Sequence, residues 1–198
     1  MKNISISEQN SLRVTTEKKK NTDTKDRFTK PGLDRQMKHR IMNRFMRALR
    51  PLLTALDESL CETPVFNRLM NENTQDGFKG HYPALRTDYA KVILTKGRLP
   101  NPPALSVCSP KLGKLVFRWT DNSGIQESLP SDLLFIGVYN RETCRWIFKV
   151  DAADRSARRY TMDATVFQEK PVQVYAGFIS ADSGRISTSL FLGEVRVF

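Results

Sequence analysis

Cysteine and histidine are scarce in this chain, with three and two respectively among 198 residues. Cys61, Cys108 and Cys144 are too few for a disulfide framework, and the odd count leaves at least one unpaired. Cys108 and Cys144 fall in strand-like contexts, where a buried thiol is expected. His39 and His81 lie far apart in sequence, so no Cys/His cluster has the short spacing a zinc site needs. The same scarcity leaves no nucleophile–base–orienter set. There is no Gly-x-Ser-x-Gly elbow and no glycine-rich phosphate loop. Runs of roughly 18 apolar residues, the length of a membrane span, are also missing. The polar start Met1-Lys2-Asn3 leads into no apolar signal region, so a cytoplasmic location is the default expectation. These absences argue against an enzyme, and no catalytic, cofactor-binding or metal-binding residue is assigned. Asp121 and Asp182, each in an Asp-(Asn)-Ser-Gly loop, are the best calcium candidates, but such residues ordinarily bond their own backbone to shape turns.

Positive charge is plentiful and unevenly placed. Residues 1–50 hold 14 Lys+Arg against 5 Asp+Glu, and the remainder 18 against 16, which together give the net +11. Residues 1–33 lack periodicity and carry Lys18-Lys19-Lys20; they read as a basic, disordered or extended arm. Ser5-Ile6 and Leu12–Thr16 could still pair as short strands. From Asp34, read as an N-cap, to about Leu60, a stripe of Met37, Ile41, Phe45, Leu49, Leu52, Leu56 and Leu60 predicts a helix. Pro51 predicts a kink or helix junction. Arg40, Arg44, Arg47 and Arg50 fall within one arc of about 120° away from the stripe. They form the candidate binding face, for a protein partner (possibly a second copy) or for a nucleic acid. The stripe is apolar enough to need cover, from the rest of the chain or from a second copy. A second helix is expected over roughly Pro64–Asn73 and a strand over Thr87–Thr95.

Beyond the Pro100-Asn-Pro-Pro103 cluster the texture is all β. Gly113–Thr120 points Leu115, Phe117 and Trp119 inward. Asp132–Tyr139 is apolar on both faces, Thr143–Val150 alternates, and Arg158–Met162 reads as an edge strand. Val172–Ser180 sets Val172, Val174, Ala176 and Phe178 against Gln173, Tyr175 and Gly177. In the last strand Leu190 and Leu192 share one parity and Val195 and Val197 the other, which calls for a bulge near Gly193. The turn Ala181–Gly184 makes the last two strands an antiparallel pair.

Trp119, the run Leu99–Val107 and Tyr175 resemble a fibronectin type III or immunoglobulin-like sandwich. Residues 35–198 are more specifically similar to an uncharacterised bacterial domain family of the Bacteroidetes type. The likeness rests on Tyr82-Pro83, Asp88–Val92, Lys96–Pro100, Trp119–Gly124, Val138–Asn140, Val174-Tyr175, Phe178–Asp182, Ser187–Ser189 and Leu192-Gly193. The resemblance implies a fold and carries no catalytic residue. The expected organisation is mainly β: a basic arm (1–33), a helical segment plus connecting strand (34–99), and an immunoglobulin/fibronectin-like β-sandwich (100–198). The expected role is a non-enzymatic structural or protein-interaction module. The alternative is a nucleic-acid-binding accessory protein.

Overall fold

The computed structural model describes residues 29–182 and 184–198. The expectations for the arm before Thr29, and Ser183 in the last turn, lie outside them. Two helices, α1 (Lys30–Leu56) and α2 (Thr63–Asp76), precede a short hairpin of β1 (Phe78–Lys79) and β2 (Arg86–Thr87). Seven strands follow: β3 (Ser106–Lys111), β4 (Lys114–Arg118), β5 (Leu133–Asn140), β6 (Arg145–Lys149), β7 (Arg159–Asp163), β8 (Pro171–Ile179) and β9 (Leu190–Arg196). They form two antiparallel sheets in the orders β3-β4-β7 and β6-β5-β8-β9. Three strands against four in this order is the sandwich expected from the alternating pattern. As read from its polarity, β7 is an edge strand.

Because side chains alternate along a strand, the four-stranded sheet serves two cores. Leu134, Ile136 and Val138 of β5, with Val172, Val174, Ala176 and Phe178 of β8, meet Leu115, Phe117 and Trp119 of β4 between the sheets. Phe135, Tyr139 and Tyr175 point the other way, into a second core with Met42, Phe45, Met46, Leu49, Leu52 and Leu53 of α1. The apolar stripe of α1 is therefore covered by the outer face of the protein's own sheet. Trp146 and Phe148 of β6 pack into this helix-side core. Gly137 sits where α1 crosses: a Cβ there would lie 3.1 Å from Leu94 Cδ1, 3.1 Å from Trp146 Cζ3 and 3.2 Å from Leu52 Cδ2.

The bulge in β9 is present. Val174 pairs with Gly193 and Tyr175 with Phe191, which leaves Leu192 as the extra residue; Gly193 has φ +115°. The shift lets Leu192, Val195 and Val197 all turn toward the inter-sheet core.

Four local expectations are corrected. The helix begins at Lys30, with Thr29 as its cap accepting the Gly32 N–H, so residues 30–33 belong to the helix and not to the arm. Asp34 instead accepts the Tyr82 N–H at 2.7 Å and pairs with Lys38. Pro51 does not divide the helix: it is exposed, while Leu49, Leu52 and Leu53 around it are fully buried, and their burial offsets the lost hydrogen bond. Of the expected strand Thr87–Thr95 only Thr87, the last residue of β2, pairs as a strand. The rest begins with a turn, Lys91 N–H donating to Asp88 O and Val92 N–H to Tyr89 O, and is then anchored by side chains: buried Asn73 of α2 donates to Ile93 O at 2.8 Å and accepts Ile93 N–H at 2.9 Å, and Ser189 Oγ accepts Leu94 N–H at 2.7 Å. Lastly, Cys108 is exposed and Cys144 half-buried, neither a core thiol.

Candidate interaction surface

The arginines lie on the side of α1 turned away from the sheet, because the opposite side is fixed by aromatic packing. Phe45 meets Tyr139 edge-on with ring centroids 5.0 Å apart, and Trp146 at 5.2 Å. Tyr175 donates its hydroxyl to Tyr89 O at 2.9 Å beneath the helix. Its ring thus faces the helix-side core. Burial pushes the Tyr175 phenol well above its ordinary range, and Tyr139 is raised by burial and then by its hydrogen bond with Cys144. Neither tyrosine is available as an acid or base near neutral pH.

Arg40, Arg44, Arg47 and Arg50 are all exposed. From Arg40 to Arg50 the helix rises about 15 Å. Arg50 is committed elsewhere, since its guanidinium lies 4.7 Å from the centroid of the Phe66 ring and ties α1 to α2. Arg40, Arg44 and Arg47 form no ion pair among the described residues. The one carboxylate of α1, Asp34, is held below the ordinary range by its hydrogen bond to Lys38 and then by the Tyr82 N–H. It pairs with Lys38 and with none of these arginines.

The tertiary structure adds features that the sequence reading missed. An open groove of about 750 Å³ lies between the first turns of α1 and the end of α2, with Lys30, Arg35, His81 and Tyr82 among its walls. At the far end of the sandwich the Arg155 side chain is fully buried: its Nε lies 3.1 Å from Asp132 Oδ2, its Nη1 2.6 Å from Asn122 Oδ1, and its carbon centre 4.3 Å from the centroid of the Phe178 ring. Nothing in the polar run Asp154-Arg155-Ser156-Ala157-Arg158 marks the second residue as a core side chain. Asp121, one of the two calcium candidates, spends one carboxylate oxygen on Ser123, accepting its N–H at 2.9 Å and its hydroxyl at 2.5 Å; these bonds lower its pKa and shape the turn. His39 and His81 are exposed. No helix among the described residues is long and apolar enough to cross a membrane.

Residues 10–193 match the model of a family of unknown function, DUF6266. The chain belongs to that family. No curated protein matches it. Among solved structures, the fn3 domain of the human collagen alpha-1(XX) chain is similar over 52% of this chain and 88% of that one, at 13% identity and a TM-score of 0.37. The DUF6266 match spans the motifs that carried the resemblance to an uncharacterised domain family, and it begins well before α1.

Proposed function

We propose that this DUF6266 protein is a non-enzymatic interaction module that docks an acidic protein surface on the arginine face of α1. The observation that carries the reading is the exposure of Arg40, Arg44 and Arg47, in no ion pair among the described residues, on a helix clamped by the four-stranded sheet. A fixed helix presents its charges without an ordering cost on binding, and exposed cations of one sign favour an anionic partner. Self-association through the apolar stripe is disfavoured, since Phe45, Leu49 and Leu52 are already buried within the chain. Nucleic acid is the second reading, favoured by the net charge of +11. Against it, the described part of α1 exposes no aromatic ring on which a base could stack.

The test is fluorescence anisotropy with a labelled poly-glutamate peptide and with single- and double-stranded DNA of matched charge, at about 50 and 200 mM salt. Wild type and Arg44→Glu/Arg47→Glu protein are compared. The expected result is peptide binding that the double variant loses while its melting temperature is unchanged. DNA binding that exceeds peptide binding and falls steeply with salt would replace the protein partner by nucleic acid. Peptide binding that survives the double substitution would remove the arginine face as the docking surface.

A further inference from the structure

We propose that the junction of α1, α2 and segment 94–96 is a binding site for a short-chain carboxylate, its hydrocarbon end inserted between the helices. The space there is about 120 Å³ and is lined by Leu53, Leu60, Val65, Leu69 and Leu94. Leu53 and Leu94 are fully buried, whereas Val65 is 38% exposed and marks the way in. Thr95, the polar residue of the inner wall, has turned its hydroxyl to donate to Ser187 O at 2.9 Å. A water molecule would find few partners among these walls. Protein interiors leave few voids larger than a water, and an apolar cavity of about 150 Å³ stays dry and admits a guest the size of benzene. The space between α1 and α2 therefore suits a small hydrocarbon group.

The mouth selects the other end of the guest. Lys96 and Glu72 are paired across it at 2.7 Å, and Arg68 beside them is exposed and in no ion pair among the described residues. Two cations against one anion leave a positive rim, so the polar end that fits is a carboxylate and not an amine. The site lies at the junction with segment 94–96, away from the arginine face of α1, and is independent of the function proposed for that face.

The experiment titrates the full chain, carrying ¹³C-labelled leucine and valine methyls, with butanoate, pentanoate, hexanoate and octanoate, and with hexylammonium as the charge-reversed control. Saturable shifts confined to the methyls of the five lining residues are expected. Affinity should rise about fourfold per added methylene until the tail fills the space, then level off. Hexanoate should exceed hexylammonium by about two- to fivefold, the size an exposed ion pair gives. Arg68→Glu should reverse that preference. Val65→Phe, which fills the space from its open side, should abolish the shifts while the protein melts no lower. Absence of lining-methyl shifts with any of the acids overturns the site. An affinity that climbs without levelling, or an unchanged response in Val65→Phe, places the binding elsewhere and overturns it too. Equal binding of hexylammonium overturns the carboxylate assignment.

Discussion

Replacing Asp132 by alanine strikes the fold where charge is buried most completely. Arg155 and Asp132 have side chains with no exposure at all, and Arg155 Nε contacts Asp132 Oδ2 at 3.1 Å. Burial lowers the Arg155 pKa and Asp132 opposes that shift, so removing the carboxylate leaves a guanidinium with less to offset its desolvation. Asp132 Oδ2 also accepts the Leu129 N–H at 2.9 Å, and that donor loses its partner as well. Breaking a buried pair from one side costs about 3–5 kcal/mol. The pair itself is incompletely satisfied, for Asp132 Oδ1 and Arg155 Nη2 have no hydrogen-bond partner in the described structure. Arg155→Met, which strands the carboxylate instead, should be about as harmful as Asp132→Ala. The double variant should recover much of the loss, since replacing a buried ion pair by apolar groups is close to neutral. Urea unfolding followed by tryptophan fluorescence measures all three, with Trp119 close to the pair through its Nε1–H bond to Arg155 O at 2.7 Å. A loss under about 1 kcal/mol in Asp132→Ala, or single losses that simply add in the double, would refute the account.

Other outcomes follow from the same structure. Gly137→Ala inserts a methyl between α1 and the sheet and should cost about 1–3 kcal/mol by overpacking, with a change in Trp146 emission; a neutral substitution would mean that α1 sits less closely than described. Trp119→Ala removes a buried side chain that meets Phe178 edge-on at 5.8 Å and should cost about 3–5 kcal/mol in urea unfolding. Asp163 is held below the ordinary carboxylate range by Lys114 and then by Thr165. A carboxylate depressed in the folded state contributes stability that is present above its unfolded pKa, about 3.9, and is lost as pH falls through the lower folded value. Lys114→Met should therefore raise the Asp163 midpoint in an NMR titration, and an unmoved midpoint would show that the pair is not formed in solution.

The sandwich was legible because alternation is a local property. Leu115, Phe117 and Trp119 had to share a face, and the change of parity between Leu192 and Val195 had to be absorbed, wherever the strands finally lay. The apolar stripe and the arginine arc of α1 were equally readable, since both follow from 100° per residue. Pro51 was misleading: local chemistry forbids one hydrogen bond there, but the burial of Leu49, Leu52 and Leu53 on the sheet outweighs it. Segment 88–95 misled for the opposite reason. Its β-branched residues suit a strand, yet its backbone groups find Asn73 and Ser189 from distant parts of the chain.

By itself, then, the sequence determined which residues share a face, because side-chain direction repeats with the backbone period. Only the tertiary structure decided what each face meets. Both faces of β5 read as apolar, and nothing local says that one looks at the opposing sheet and the other at α1. The burial of Arg155, the groove beside Tyr82 and the apolar space between α1 and α2 arise from elements far apart in the chain, whose approach is fixed by packing and leaves no trace in any one segment.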